Sequence, residues 1–319
     1  MPSLRERIET FLRGRFPNNR IAPQHYAELL MPYAESGLSP PHMLSELETL
    51  DEGKFWSCVW EAMLYRHFLS LGFAPRNYST PSGQNGPDFC LEHDGKTIWV
   101  EAIVPSPEGI PADYLAPPIL GEIRVRSKPD HQRVLRCTSA IADKKNKFTE
   151  YVRKGIVSSS DCAVIAVNIC RLSDWDIDGN GISQLPLAME AVFPVGPLAV
   201  PITQQGTLAG EAQNMPRFAV RKTSGIDIQT GNFLDPAFAG ISAVLQGHQK
   251  DVFEKPLVLA EIHNPLALNA LPAHLFGAFK EFVAAERDAE YQVRDVAPVR
   301  PEAAVAEIND APPDERRER

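Results

Sequence analysis

Asp88-Phe89-Cys90-Leu91-Glu92-His93-Asp94-Gly95-Lys96-Thr97-Ile98-Trp99-Val100-Glu101-Ala102-Ile103 is the stretch that decides the fold. Two strand-like runs, Phe89–Glu92 and Thr97–Val104, flank Asp94-Gly95, a dipeptide that favours a two-residue hairpin turn. Such a loop pairs His93 with Lys96 and sets Asp88 opposite Glu101. Alternation puts Phe89, Leu91, Ile98, Val100 and Ala102 on one apolar face. Asp88, Cys90, Thr97, Trp99, Glu101 and Ile103 take the other. Directly opposed residues have Cβ atoms about 4.5–5.5 Å apart. Two carboxylates at that separation repel unless a cation or proton lies between them. A divalent ion that prefers hard oxygen ligands, Mg²⁺ or Mn²⁺, is the expected partner. The plainer alternative is that Asp88 opens a strand or caps a turn while Glu101 stays in solvent.

The helices on either side supply further polar groups. Lys54–Leu71 reads as a long apolar helix ended by Gly72, and Glu61 is a lone carboxylate in its run from Phe55 to Tyr65. A buried carboxylate needs a partner. That partner is either a basic side chain such as Arg66 or the metal site itself. Arg133–Lys154 reads as a helix stopped by Gly155, with an apolar stripe of Val134, Cys137, Ile141, Phe148 and Val152. At 100° per residue Lys144 falls about 40° from the centre of that stripe, so its ammonium is expected to aim inward. Lys147 lies on the flank and Lys145 further off. The competing reading for Lys144 is a stem laid along the core with its head in water.

Around this centre, residues 1–50 read as short helices (Leu4–Phe16, His25–Glu35, Pro41–Leu50), an arm that must pack on the core. Ala74–Thr80 reads as extended, Ser82–Pro87 as a turn-rich loop and Pro105–Pro118 as a proline-rich loop. Cys162–Ile169, Ile241–Leu245 and Leu257–Ile262 read as buried strands, and Leu275–Ala285 as a last helix. From about Asp288 the chain turns to proline, alanine and charge, the composition of a disordered tail. The expected class is α/β, a mixed central sheet flanked by helices, with a core over residues 51–287.

The 319 residues are 44% hydrophobic, enough for a sizeable core, and the net charge of −9 excludes a broadly basic nucleic-acid coat. Within Glu122–Lys154, however, ten basic residues face four acidic ones, a local net of +6 that suits an approaching polyanion. A helix face with ion pairs would account for part of it. Five cysteines without C-x-x-C spacing argue against a disulfide scaffold or structural zinc and fit a reducing, cytoplasmic setting. The charged N-terminus carries no export signal, and no window reads as a membrane span. No P-loop, dinucleotide fingerprint or H-E-x-x-H occurs. Cysteine-based hydrolysis finds little support: Cys58, Cys90 and Cys137 lack a histidine partner, and His67, His93, His131 and His263 are scattered.

Over about residues 54–170 the sequence resembles the PD-(D/E)xK phosphodiesterase superfamily, with its restriction-endonuclease-like core. The resemblance rests on Glu61 in the opening helix, Gly86-Pro87-Asp88-Phe89, Val100-Glu101-Ala102-Ile103, and the order helix, three strands, helix, strand. Ile262-His263-Asn264-Pro265 after a later strand also looks like peripheral elements of such families. The resemblance implies that Asp88 and Glu101 bind the metal and that the Ala102 carbonyl adds a ligand. The family's lysine belongs at Ile103. Some members bring it from the next helix, which here makes Lys144 the candidate and Lys145 the second. The expected activity is Mg²⁺-dependent hydrolysis of nucleic-acid phosphodiester bonds, DNA ahead of RNA. Asp88, Glu101, Lys144 and Glu61 would form its catalytic group, and Trp99 and Tyr78 are weighed as groove-lining aromatics against a core role. The alternative is an inactive binding or scaffold protein on the same fold, suggested by Ile103.

Overall fold

The computed structural model describes residues 3–77, 86–116, 119, 121, 123, 125, 127–172, 179–250, 257–287 and 290–295. Along the chain run helices α1 (Leu4–Arg15), α2 (Ala22–Glu35), α3 (Met43–Leu47) and α4 (Glu52–Ser70). Strands β1 (Phe89–His93) and β2 (Lys96–Ile103), helices α5 (Ala112–Leu115) and α6 (Asp130–Arg153), strand β3 (Cys162–Asn168) and helix α7 (Leu187–Val192) follow. Then come β4 (Val195–Ala199), β5 (Gln213–Pro216), β6 (Ala219–Arg221), β7 (Asp227–Gln229), β8 (Ala243–Gly247), β9 (Ala260–His263), β10 (Lys280–Arg287) and β11 (Glu290–Asp295).

Seven strands form one mixed sheet in the order β1-β2-β3-β8-β9-β10-β11. β2, β3 and β8 are parallel, and α6 makes the crossover from β2 to β3. β9 turns antiparallel to β8 and β10 runs parallel to β9. The small pairs β4-β5 and β6-β7 lie outside this sheet.

Period-two alternation splits the core into two layers. Phe89, Leu91, Ile98, Val100, Val164, Ala166 and Leu245 face the side covered by α1–α4. Trp99, Ala163, Ile165, Val167 and Val244 face α6 and α7. A sheet covered on both faces explains why β3 is buried at all seven positions. The N-terminal helices are part of the first layer: Leu12, Leu30 and Met43 share one cluster with Phe55 and Phe89. The N-terminal helical arm thus packs on the core, as its apolar faces require, and forms one wall of it.

Local chemistry sets the ends of the main elements. Asp51 caps α4 by accepting from the Lys54 N–H at 3.0 Å, and Gly72 leaves the helix at φ +84°. Asp94 and Gly95 have φ of 47° and 74°, the paired left-handed conformation that a type I′ hairpin needs.

Two expectations are overturned at the C-terminal end. Leu275–Ala285 is not a helix. Lys280–Phe282 pair in parallel with Ala260–Ile262, because β9 leaves an open edge whose backbone groups need partners. Glu290–Asp295 return as β11 against β10 and so are not tail; of the tail expected from Asp288, the other residues lie outside the described ones. Ala74–Thr80 contributes only a single bridge, Arg76 to Cys90, and Tyr78–Asn85 fall outside the described residues.

Candidate active site

The hairpin register is the one the turn dictates: Phe89 opposes Val100, Leu91 opposes Ile98 and His93 opposes Lys96. Asp88 stands one residue before β1 at the position facing Glu101. Its Oδ2 accepts a 2.7 Å hydrogen bond from the Ala102 N–H. Extending the ladder brings Pro87 to Ala102, and proline has no N–H to offer the Ala102 carbonyl. Strand pairing therefore ends with a carboxylate on one Ala102 group and no ladder donor for the other.

Glu101 is fully buried on the α6 side of the sheet. Three residues of α6 converge on it. Lys144 Nζ donates to Oε2 at very short range. Lys147 Nζ lies 3.3 Å from both carboxylate oxygens, and the Tyr151 hydroxyl donates to Oε1 at 2.8 Å. Positions 144, 147 and 151 are three and four residues apart, so one helix face presents them together. Tyr151 also donates to the Gly86 carbonyl at 3.2 Å, tying α6 to the turn before Asp88. Burial works against the Lys144 ammonium, but Glu101, Asp88 and Glu61 outweigh it and hold its pKa above the ordinary lysine value.

Glu61 approaches from α4. Its Oε2 accepts from the Tyr33 hydroxyl of α2 at 2.9 Å, so a phenol, and not Arg66, is its partner. Burial and the neighbouring Asp88 push the Glu61 carboxyl up to about 8. Burial and Glu101 push Asp88 up to about 6. Burial also raises the Tyr33 phenol, with Glu61 adding to the effect. Three acidic side chains thus sense one another across the hairpin, with Lys144 and Lys147 as the cations among them.

Asp88, Glu101, Lys144 and Glu61 accordingly form one electrostatic group. Glu61 does not complete a compact ligand set, since these three acids do not bring three ligand oxygens within 4.8 Å of one another. The donors that suit a hard divalent ion are Asp88, Glu101 and the Ala102 carbonyl. The Ala102 carbonyl, left without a ladder donor beside Asp88 and Glu101, is compatible with a cation there.

Other expectations fare differently. Lys145, the second candidate, points away, with its Nζ 5.5 Å from the centre of the Phe238 ring; Lys147 takes that place. Trp99 is a core residue whose Nε1 donates to Asp161 at 2.8 Å, and Tyr78 lies outside the described residues. The basic stretch is largely consumed internally: Arg133 is buried, Arg136 pairs with Glu108, and Arg153 and Lys154 pair with Glu150. Arg124 and Arg126 lie outside the described residues. All five cysteines are buried free thiols, and burial raises each thiol pKa, which leaves none poised as a nucleophile.

Tyr33, Lys147 and Tyr151 were not singled out by the sequence. The signal for the last two was the spacing from Lys144 along α6. Tyr33 belongs to another helix, and no local pattern links it to Glu61.

No protein-family model matches the chain, and no curated protein or solved structure matches it. Among the described residues, no helix is long and apolar enough to cross a membrane.

Proposed function

We propose that the chain is a metal-dependent nuclease, with Asp88 and Glu101 as its acidic pair and Lys144 as the lysine that Ile103 cannot supply. The observation that carries this reading is the contact from Lys144 of α6 to Glu101 of β2, beside an Asp88 held in register. Asp88, Glu101 and the Ala102 carbonyl would hold Mg²⁺ or Mn²⁺, which polarises a phosphate and lowers the pKa of an attacking water. The chain's own groups do the rest. The Ala102 N–H fixes the Asp88 carboxylate. Tyr151 and Lys147 fix Glu101. Lys144 supplies positive charge where negative charge develops on the phosphate. Glu61 is a positioning residue, held by Tyr33 and acting through Asp88.

The test is cleavage of labelled DNA and RNA by the full chain with Mg²⁺ or Mn²⁺, DNA being the expected substrate. Asp88→Asn, Glu101→Gln and Lys144→Ala should each lower the rate by about 10²–10³-fold. Cleavage that survives all three substitutions sinks the proposal. A second reading, an inactive nucleic-acid-binding or scaffold protein, is favoured by one specific observation. Glu101 already has its oxygens engaged by Lys144, Lys147 and Tyr151, which leaves an ion to compete with an internal salt bridge. Absence of divalent-ion binding by calorimetry together with absence of cleavage would select it.

A further inference from the structure

A second group of ligand-type side chains lies on the opposite face of the sheet, away from α6. Glu261 of β9 and Glu281 of β10 are direct neighbours in the parallel register, and His263 follows two residues after Glu261 on the same face. Both glutamates are buried, at 0% and 1% exposure. His263 Nε2 is 2.7 Å from Glu281 Oε1 and 3.5 Å from Glu261 Oε1. The other Glu281 oxygen is 2.6 Å from His274 Nδ1, and the His274 backbone N–H donates to both oxygens at 3.0 Å.

Glu261 is the anomaly. Neither of its carboxylate oxygens has a hydrogen-bonded partner, though the whole side chain is buried. Burial and the neighbouring Glu281 hold its carboxyl above the ordinary glutamate range, and the Phe276 backbone N–H works only weakly against them. Among the described residues no lysine or arginine pairs with Glu261 or Glu281. Two adjacent buried carboxylates, one of them without a hydrogen-bond partner, are costly unless a proton or a cation joins them. One ligand atom from each of Glu261, His263 and Glu281 already lies within 4.8 Å of the others.

We infer that Glu261, His263 and Glu281 form a binding site for a first-row divalent transition ion, Zn²⁺ in the first instance, with His274 orienting Glu281 from outside. One imidazole and two carboxylates are a donor set that suits Zn²⁺; Mg²⁺ prefers oxygen alone. His274 orders the far oxygen of Glu281, as residues behind a metal ligand commonly do. Its side chain is one-third exposed, so it also marks the side on which the group meets solvent. The ion would join β9 to β10 and to the segment carrying His274. This site is separate from the Asp88–Glu101 group and does not depend on the nuclease reading.

The test uses the full chain stripped with a chelator and then freed of it. Titration with Zn²⁺ against a chromophoric competitor should give one tight equivalent and a higher Tm. Glu261→Gln should weaken binding by at least about tenfold and abolish the Tm rise, whereas Asp88→Asn should keep both. Co²⁺ added to the unsubstituted chain should give visible d–d absorption, a readout that needs no variant to fold. The inference is overturned if Co²⁺ gives no such absorption, or if Zn²⁺ leaves the unsubstituted chain and Glu261→Gln alike. Loss of Zn²⁺ binding in Asp88→Asn with retention in Glu261→Gln would overturn it equally.

Discussion

Glu101 is held by three donors of α6, and the loss of each carries a separate consequence. Removing the Tyr151 hydroxyl leaves a buried carboxylate oxygen with one fewer donor and frees the turn at Gly86. Tyr151→Phe should therefore cost about 1–3 kcal/mol of stability, measured by denaturant unfolding. Glu61 behaves differently, because the fold favours its protonated form. Its carboxyl is raised by burial and Asp88 from 4.5 to about 8. A group raised in this way contributes its stability below the unfolded-state value and loses it as pH climbs through the folded-state value. In chelator, the unsubstituted protein should lose stability relative to Glu61→Gln between about pH 4.5 and pH 8, and the gap should close below that window. Melting curves of the two proteins at closely spaced pH values check this, and a gap that shrinks as pH rises would contradict it. At this scale the facing of Asp88 and Glu101 and the inward aim of Lys144 were legible, because turn chemistry and helical angle are local. Tyr151 was hidden because the apolar stripe of α6 was drawn through Val152, which is 41% exposed; the true inward position is one residue earlier.

Between elements, α4 meets the sheet closely at Trp60. Trp60 is fully buried, and its Nε1 donates to the Ala166 carbonyl at 3.0 Å. A methyl group added at Gly247 of β8 would lie 2.5 Å from Trp60 Cη2. Gly247→Ala should thus destabilise by about 1–3 kcal/mol through overpacking, and Trp60→Ala by about 3–5 kcal/mol through the cavity left behind. Urea midpoints at constant m-value would measure both. If Gly247→Ala were neutral, the contact between α4 and β8 would be looser than described. Elements with a strong local signal were legible: the Asp94-Gly95 hairpin, the apolar run of β3, and α4 and α6 with their terminal glycines. β10 was not. Leu275–Ala285 has enough alanine, with Lys280 and Glu281, to suggest a helix, and the open edge of β9 makes Lys280–Phe282 extended. The Glu261–Glu281 pair was invisible for the same reason, since it exists only once those two strands lie side by side.

Across the whole molecule, in a chain of net charge −9, two lysines of the most basic stretch are spent on one buried carboxylate. Lys144 and Lys147 turn toward Glu101. The local excess of positive charge in Glu122–Lys154 is thus largely a feature of folding, and any grip on a polyanion must draw on what remains exposed. The two acidic groups occupy opposite faces of one sheet: Glu101 faces the α6 layer, while Glu261 and Glu281 face the layer of α1–α4. The fold class could be read from the alternation of helix and strand. The two-layer division of the core could not, because it depends on which helix covers which face.

The bond from Tyr33 to Glu61 crosses from the first fifty residues into the candidate site, and Tyr26 packs edge-on against Phe55 and Trp56 in the same seam. A shortened protein beginning at Asp51 would therefore not stand as a folded unit by itself. It would lay bare the aromatic flank of α4, strand the Glu61 carboxyl without its phenol, and be recovered as aggregate on size-exclusion chromatography. Mixing it with a peptide spanning residues 1–50 should restore a soluble heterodimer, as expected of two halves of a single folding unit.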